Sequence, residues 1–275
     1  MPLYQAVLLG LVQGLTEFLP VSSSGHLVVM QHLFGLDEPQ LLFDVMLHVG
    51  TLCAVVVVFR KDLWGILNGL WAIVTGHRRH ARPAGHDESV RLLWFVIIAS
   101  IPTGIIGLSL KDVVETLFGS VRFVGVAFLI TGVILWASRF ARRPSKHIST
   151  MTAGDALVIG FVQGIAVTPG ISRSGTTISG GLLLGIDREL TARFSFLLAI
   201  PAILGAAVVE LRDVTAVPQD VWPAILAGTA VASVSGYLSL KMLLRVVIAG
   251  NFSTFAYYCW GMGVLTLVGS WYGLG

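Results

Sequence analysis

Residues 160 to 177 of the chain read GFVQGIAVTPGISRSGTT and place an arginine, several hydroxyl side chains and glycines inside an otherwise apolar run. Residues 10 to 27, GLVQGLTEFLPVSSSGHL, align with this stretch without a gap. Identities at one fixed offset over so short a stretch indicate an internal duplication. The identical positions are Gly10, Val12, Gln13, Gly14, Ser22, Ser24 and Gly25, which correspond to Gly160, Val162, Gln163, Gly164, Ser172, Ser174 and Gly175.

The two copies differ in their ionisable residues. The first copy has Glu17 and His26 where the second has a valine and a threonine, and the second has Arg173 where the first has Ser23. A site built from both copies would therefore combine a carboxylate, an imidazole and a fixed positive charge.

The composition predicts an all-α polytopic membrane protein. Of the 275 residues, 55% are hydrophobic and only 12% are charged, whereas about a quarter of a soluble domain is charged. Cys53 and Cys259 each lie in an apolar stretch, so we expect neither a disulfide nor a cysteine metal site. We also expect no cleaved signal peptide, because the first basic residue is Arg60.

About six full transmembrane helices are predicted, since a spanning helix needs roughly 20 apolar residues. The duplicated segments differ from these spans, because Pro, Gly and Ser interrupt each of them, at 20–25 and 169–175. Irregular backbone at membrane depth requires cover from protein or water, so both segments are predicted to be re-entrant helix-loop-helix hairpins. The six predicted spans are 43–59, 91–110, 121–139, 190–210, 222–244 and 253–272.

The basic residues predict the orientation. Fourteen of the 18 Lys and Arg fall on one side of these spans, which is therefore predicted to be cytoplasmic. Three spans separate the two hairpins, so the hairpins must enter from opposite faces. This predicts an inverted-topology repeat with halves 1–147 and 148–275 and with both termini outside.

Three further features concern structure only: a segment after the first span, a histidine-rich stretch and a set of glycines. The segment 62–75 is either an interfacial helix or an extension of the first span. Residues 76–87, which contain His77, His80 and His86, are interpreted as a solvated cytoplasmic loop, because their spacing is not specific for a metal. Small residues are predicted to allow close helix packing, namely Gly104, Gly107, Gly125, Gly132, Gly205 and Gly228.

The charged residues inside the membrane point to a functional site. Each of Glu17 and Arg173 costs on the order of 2.5–3.5 kcal/mol to insert, so such residues usually face a cavity, although a purely structural ion pair is the alternative. Guanidinium, hydroxyl and helix N-terminal N–H donors together predict an anion site for phosphate or carboxylate. The donors near Gly170 are Ser172, Arg173, Ser174, Gly175, Thr176 and Thr177.

Other polar residues have two interpretations each. His26 is either a nucleophile or general acid, or a buried structural histidine. Gln13 lies one helical turn before Glu17 and would orient its carboxylate or coordinate a cation. Asp44 and His48 share a helix face at the outer start of the first span, where they either line the entrance or are ordinary polar lining.

The segments QGLTEFLPVSSSGH and PGISRSGTT resemble the two signature motifs of the bacterial undecaprenyl-diphosphate phosphatase (bacitracin-resistance) family, membrane enzymes of cell-wall lipid recycling. The resemblance extends over essentially the whole chain. It implies hydrolysis of undecaprenyl diphosphate to the monophosphate and inorganic phosphate, in the bacterial inner membrane, at a site open to the periplasmic or outer face. It also implies a divalent cation, Mg²⁺ or Ca²⁺.

By motif, Gln13 and Glu17 occupy the Glu/Gln-x-x-x-Glu pattern of that family, with an amide in place of one carboxylate at position 13. The hypothesis is that Arg173 and nearby donors bind the diphosphate while Glu17 and Gln13 hold the cation. Either His26 or Ser23 attacks phosphorus, or His26 activates water. The remaining predicted phosphate ligands are Ser22, Ser24, Ser172, Ser174, Gly175, Thr176 and Thr177.

The expected partners are a polyprenyl diphosphate lipid and membrane lipids, with no nucleic acid, and a homodimer is an open alternative to a monomer. The rival function is a lipid-phosphate or anion transporter or flippase, because inverted repeats with broken helices are also a transporter plan. In that case Arg173 would bind the anion and Glu17 or His26 would couple protons.

Overall fold

The computed structural model describes residues 1–36, 40–74, 86–141, 144–213 and 219–273. Regular structure in these ranges is helical, apart from one isolated β-bridge between Lys146 and Ile186. The helices are α1 Leu3–Phe18, α2 Ser23–Leu33, α3 Leu41–Val58, α4 Arg60–Val74, α5 His86–Ser109, α6 Lys111–Phe118, α7 Val121–Ala137, α8 Ala153–Ile165, α9 Arg173–Leu183, α10 Arg188–Asp213, α11 Trp222–Ala249 and α12 Phe255–Trp271, with 3₁₀ turns at Ser138–Phe140, Gln219–Val221 and Phe252–Thr254.

Five helical segments are long and apolar enough to cross a membrane: Leu41–Val58, Glu88–Ser109, Val121–Phe140, Arg188–Arg212 and Gln219–Ala249. They correspond to five of the six predicted spans. The sixth, 253–272, is also helical, but α12 has only 17 residues. Large apolar side chains such as Leu226 and Leu265 are exposed on the surface, as lipid contact requires. The chain is therefore an all-helical, multi-pass membrane protein.

Each duplicated segment forms a pair of short helices, α1 with α2 and α8 with α9, as the interrupting residues predict. The second helix of each pair begins earlier than the glycines suggest, directly after Ser22 and Ser172. These two serines cap the helices, because their Oγ atoms accept hydrogen bonds from Gly25 N at 3.4 Å and Gly175 N at 3.0 Å.

Glycine allows the first helix of each pair to pack closely on a long helix. α1 packs on α11, and α8 packs on α5. A Cβ atom on Gly10 would lie 2.3 Å from Gly228 O, and one on Gly160 would lie 2.0 Å from Ala99 O.

α2 and α9 both contact α7, and Gly170 N donates to Ser24 Oγ at 3.4 Å. The two breaks therefore lie side by side.

The six glycines predicted to pack helices differ in their surroundings, and Gly107 is intermediate, because a Cβ atom there would lie 3.8 Å from Val167 Cγ2, an ordinary van der Waals distance. At Gly125, Gly132 and Gly228 a Cβ atom would have neighbouring atoms within 3.0 Å, so close packing there is confirmed. The prediction is wrong for Gly104 and Gly205, where a Cβ would meet no heavy atom within 4 Å of the described structure. Both line a cavity, because a residue without a side chain leaves the wall of α5 or α10 open.

The segment after the first span is a separate helix. α4 begins at Arg60, separated by one residue from the end of α3 at Val58, and packs against α5. Its Asp62 pairs with Arg193 of α10, so α4 is not an extension of the first span. Most of the predicted histidine-rich loop, including His77 and His80, lies outside the described residues. Both cysteines are free thiols, Cys53 exposed and Cys259 buried.

Candidate active site

Glu17 is the centre of a cluster formed by both duplicated segments. Its buried carboxylate accepts a hydrogen bond through Oε1 from the Arg173 guanidinium at 2.5 Å. Its Oε2 accepts from Ser23 Oγ at 2.5 Å and from Gln13 Nε2 at 2.9 Å. The structure thus brings together the carboxylate of the first copy and the guanidinium of the second, whereas the imidazole of His26, which was predicted to join them, contacts other groups.

Secondary structure fixes these positions. Gln13 and Glu17 are one turn apart on α1, so both side chains lie on the same face. Ser23 and Arg173 are the first residues of α2 and α9, whose N-termini both lie at the cluster. Helix N-termini carry unpaired N–H groups and a partial positive charge. The cluster is therefore suited to an anionic group.

Arg173 has a donor left for a ligand. Its terminal nitrogen Nη1 is buried and has no hydrogen-bond partner within the described parts of the chain. The Arg173 side chain is 15% exposed and lines a cavity that begins at the cluster. A guanidinium presents several N–H groups in a plane that matches phosphate oxygens, so Glu17 can hold one side of Arg173 while the other side binds an anion.

The cavity has a volume of about 450 Å³, and both polar and apolar side chains line it. Its polar lining includes Glu17, Ser23 and Arg173 of the cluster together with Ser22, Ser24 and Ser172. Much of its wall is apolar and comes from α5 and α10. Such a cavity suits a ligand with a charged head and a hydrocarbon tail. The wall includes Gly104, Gly107, Leu108, Ala202, Ala206 and Val209, and Lys111, Glu115 and Glu210 also line it.

The other predicted phosphate ligands make hydrogen bonds inside the protein. Ser174 Oγ donates to Leu19 O at 3.2 Å, Thr176 Oγ1 donates to Ser172 O at 2.7 Å, and Thr177 Oγ1 lies 2.5 Å from Ser195 Oγ. Gly175 N donates to the Ser172 cap. None of these four is among the described residues that line the cavity. Their role in phosphate binding stays a prediction.

His26 is not among the described residues that line the cavity, and its ring contacts other groups. Its Nδ1 lies 2.7 Å from Ser22 O, and its Nε2 lies 2.8 Å from the hydroxyl of Tyr258. The His26 and Tyr258 rings are stacked with centroids 5.7 Å apart. Both ring nitrogens therefore have protein partners. Tyr258 lies on α12 far along the chain and belongs to no motif, so no local pattern predicts this contact.

His48 instead approaches Glu17. Its Nε2 lies 3.4 Å from Glu17 Oε2, and its side chain is 25% exposed and lines the cavity. From the sequence alone, His48 was predicted only to share a helix face with Asp44. Asp44 also lines the cavity and accepts a hydrogen bond from Gln31 Nε2 at 2.7 Å. The sequence could not show which face of α3 meets α1, because that depends on helix packing.

Thr131 of α7 supports the second loop and was also missed. Its Oγ1 donates to Gly170 O at 3.0 Å and accepts from Ser172 N at 3.1 Å. Gln163, the counterpart of Gln13, donates to Thr103 Oγ1 of α5 at 3.3 Å. The two equivalent glutamines therefore have different surroundings, one beside a carboxylate and one at a helix interface.

Comparison with known proteins gives one consistent result. A sequence model of the family described as bacitracin resistance protein BacA matches residues 6–265. The undecaprenyl-diphosphatase of Desulfosudis oleivorans is 48% identical over 98% of both chains. Those of Desulfatibacillum aliphaticivorans and Carboxydothermus hydrogenoformans are 45% and 43% identical over 96% of this chain and 97% and 96% of theirs. Neither the family nor these names favour the transporter alternative. The chain belongs to the bacitracin resistance protein BacA family.

Proposed function

We propose that this chain is an integral membrane phosphatase that hydrolyses undecaprenyl diphosphate to undecaprenyl phosphate and inorganic phosphate in cell-wall lipid recycling. The family and the names of the relatives support this activity. The structural observation that carries it is the contact of Glu17 with Ser23 and Arg173 in the wall of a largely apolar cavity.

Arg173 binds the diphosphate in this proposal. Its unpaired Nη1 donates to phosphate oxygens, while the N-termini of α2 and α9 add partial positive charge on the same side. Charge spreads over the equatorial oxygens of the transferred phosphoryl group in the transition state. A guanidinium held in place by Glu17 before the substrate arrives stabilises that charge without reorganisation.

Ser23 is the nucleophile that the geometry favours over His26. Ser23 Oγ already donates to Glu17 Oε2 at 2.5 Å, so Glu17 can accept its proton as the Oγ–P bond forms. The bond between the terminal phosphorus and the bridging oxygen breaks, and undecaprenyl phosphate leaves. Water then attacks the phosphoserine, the Oγ–P bond breaks, and inorganic phosphate leaves as Ser23 regains a proton. Both nitrogens of His26 remain engaged with Ser22 and Tyr258.

A divalent cation, Mg²⁺ or Ca²⁺, fits beside Glu17. These ions prefer oxygen ligands, and Gln13 Oε1 is a buried acceptor with no partner in the described structure. The described residues contain no group of three His, Cys, Asp or Glu side chains that could hold a metal. Glu17 and Gln13 would therefore share the ion with phosphate oxygens and water. When bound, the ion would neutralise charge on those oxygens.

The apolar part of the cavity accommodates the lipid. Gly104 and Gly205 leave space in α5 and α10, so a polyprenyl chain can lie between side chains that would otherwise contact membrane lipid. Only the charged head then has to reach Arg173. This arrangement explains why a hydrolytic site lies within a membrane protein.

The chain is built from two inverted repeats, residues 1–147 and 148–275. The helices α1, α2, α8 and α9 have 16, 11, 13 and 11 residues, which is short of the roughly 20 needed to cross a bilayer. This supports two re-entrant hairpins. The matching contacts of Gly10 with α11 and Gly160 with α5 support their equivalence. The sixth span is α12.

The active site opens to the outer or periplasmic face of the plasma membrane, where both termini lie. Two observations support this orientation. The distribution of basic residues assigns the loop that contains α6 to the outer side. Lys111 and Glu115 of α6 line the cavity, so the cavity would open toward that loop.

Phosphate release tests the activity. The purified chain in detergent should release inorganic phosphate from a polyprenyl diphosphate when Mg²⁺ or Ca²⁺ is present, and a chelator should stop the release. No transmembrane gradient exists in detergent, so transport cannot account for the product. Absence of release with every divalent cation tested would contradict the proposal.

Trapping of the intermediate tests the nucleophile. Rapid quenching in acid and, in parallel, in alkali, with substrate labelled on its terminal phosphate, should leave acid-stable label on the protein, because phosphoserine survives acid whereas phosphohistidine does not, and peptide mapping should assign this label to Ser23. Label on His26, or release without a trapped intermediate under any quench, would contradict a Ser23 nucleophile. The Thr131→Val variant, which keeps Ser23 but removes a support of the second loop, should still form the labelled intermediate.

A further inference from the structure

One ring nitrogen of His48 is engaged by the backbone, and the other lies near Glu17. Its Nδ1 lies 2.7 Å from Asp44 O, and a carbonyl oxygen can only accept a hydrogen bond, so Nδ1 carries the proton. In the neutral ring, Nε2 then has a free lone pair. That lone pair lies on the side of Glu17 Oε2, 3.4 Å away, in the cavity.

This is the arrangement of a metal-binding histidine. Histidines that bind a metal through one nitrogen almost always donate the other N–H to a carbonyl or carboxylate. Two ligands of one ion, each about 2.0–2.2 Å from it, lie roughly 3–3.5 Å apart. The distance between His48 Nε2 and Glu17 Oε2 falls in this range.

A simple ion pair between His48 and Glu17 is the competing explanation. Glu17 already has a cationic partner in Arg173, and its Oε2 already accepts hydrogen bonds from Ser23 and Gln13. The carboxylate therefore does not require His48 for charge or hydrogen bonding. Gln13 Nε2 lies next to Glu17 Oε2, and Gln13 Oε1 is a buried acceptor without a partner in the described residues. A half-turn of the amide would bring Oε1 next to Glu17, where it could bind the same ion.

We propose that His48 Nε2 is a direct ligand of the divalent cation, beside Glu17 and Gln13, and that this site therefore prefers first-row transition ions to Mg²⁺ and Ca²⁺. An imidazole adds affinity for transition ions and little for Mg²⁺ or Ca²⁺, which prefer oxygen. The inference rests on the cation site of the proposed function and gives it a third protein ligand and a metal preference.

Mn²⁺ binding to the purified full chain in detergent tests this inference without any turnover. The loss of the free Mn²⁺ signal in electron paramagnetic resonance gives the dissociation constant, and pulsed measurements detect a ¹⁴N nucleus bound to the ion. We expect ¹⁴N coupling in the wild type, and its replacement by ¹⁵N coupling when the protein is labelled with [¹⁵N]histidine. That labelling result needs no variant.

His48→Gln should abolish the nitrogen coupling and weaken Mn²⁺ binding by at least about 10-fold, because loss of a direct ligand costs no less than loss of an outer-shell partner, while Mg²⁺ competition changes by less than about threefold. His32→Gln is the matched control, because His32 Nδ1 makes the same contact with a carbonyl four residues earlier, Val28 O at 2.9 Å. This control should keep both the coupling and the affinity.

Bound Mn²⁺ without histidine coupling in the wild type, unchanged coupling in His48→Gln, or no Mn²⁺ binding at all would each overturn the inference. The two proposals fail separately. Histidine coupling without phosphate release would contradict only the phosphatase activity, and phosphate release without histidine coupling would contradict only the role of His48.

Discussion

The two broken helix pairs, α1/α2 and α8/α9, share a local framework. In each pair a serine caps the second helix, and its Oγ lies 3.3 Å from the serine Oγ two residues later. In each pair the side chain four residues after the cap contacts the carbonyl oxygen of the cap. That side chain is His26 in one pair and Thr176 in the other, both at 2.7 Å.

The pairs differ where the chemistry is. The residue directly after the cap is Ser23 in the first pair and Arg173 in the second, and both contact Glu17. The duplicated framework thus places two helix N-termini together, while divergence at one position in each copy supplies a hydroxyl and a guanidinium. His26 is the counterpart of Thr176, so its contact with the carbonyl oxygen of the capping serine has an equivalent in the second pair.

The largest expected effect comes from breaking the contact between the two pairs. Arg173→Gln and Glu17→Gln should each lower kcat for phosphate release by at least about 10³-fold, because an arginine at a transferring phosphoryl group contributes about 10³–10⁵. Arg173→Gln also removes the guanidinium that contacts a buried carboxylate, and breaking a buried ion pair costs about 3–5 kcal/mol of stability. Thermal unfolding in detergent measures this loss.

The double variant Glu17→Gln/Arg173→Gln separates function from structure. It removes both charges, so it should regain most of the lost stability and none of the activity. If the pair were only a structural strut, activity would return with stability. Glu189→Gln, which neutralises an exposed carboxylate at the start of α10, should change neither quantity.

The next effect distinguishes Ser23 from His26. Ser23→Ala should lose at least about 10³-fold in kcat, because it lacks the nucleophile. His26→Thr copies the second pair and keeps the contact with the Ser22 carbonyl, so it should lose less than about tenfold. Equal losses in the two variants would make His26 part of the chemistry and would contradict the equivalence of His26 and Thr176.

Much of the architecture was predictable because it depends on local patterns. The spans follow from runs of apolar residues, and the breaks follow from Pro20, Pro169 and the neighbouring glycines and serines. The contact of Glu17 with Arg173 was predictable because the two copies carry complementary charges at the same framework. Predicting the spans, the breaks and this contact does not require knowing how each helix is rotated about its own axis.

The missed features depend on that rotation. Whether His26 faces Glu17 or Tyr258, and whether His48 faces Glu17 or the entrance, is set by the packing of α2 on α7 and of α3 on α1. Local sequence does not encode these orientations. The same reason explains Gly104 and Gly205, which look like packing residues in the sequence but lie on the cavity wall.

A smaller effect tests the equivalence of the two pairs in packing. Gly10→Ala and Gly160→Ala should each destabilise the protein by about 1–3 kcal/mol, because the added methyl group meets a backbone carbonyl. Thermal unfolding in detergent should show similar losses for both. Gly205→Ala is the control, since the described structure leaves space there, and it should be neutral or stabilising because alanine favours helix more than glycine. Unequal losses would mean that α1 and α8 do not pack in the same way.

The smallest effect concerns the N-terminal ends of α1 and α8, which are capped differently. α8 begins with a capping box, in which Thr152 Oγ1 accepts from Asp155 N and Asp155 Oδ2 accepts from Thr152 N, whereas α1 has no side-chain cap. Lys146 Nζ also donates to Asp155 Oδ1 at 2.6 Å. Burial raises the pKa of the Asp155 carboxyl, but these hydrogen bonds and the Lys146 charge outweigh it and lower the pKa below its ordinary value.

A carboxyl whose pKa is lower in the folded protein stabilises the fold above its ordinary pKa and loses this contribution as the pH falls through the lowered value. Asp155→Asn should therefore reduce stability by about 1 kcal/mol at pH 7, and the difference from wild type should shrink as the solution becomes strongly acidic. Thermal unfolding measured from pH 7 to strongly acidic pH gives both the loss of stability at pH 7 and its decrease in acid. Glu189→Gln should show no such pH-dependent difference. A loss for Asp155→Asn that stays constant into acid would mean that the carboxyl's charge contributes nothing and that only its shape caps α8.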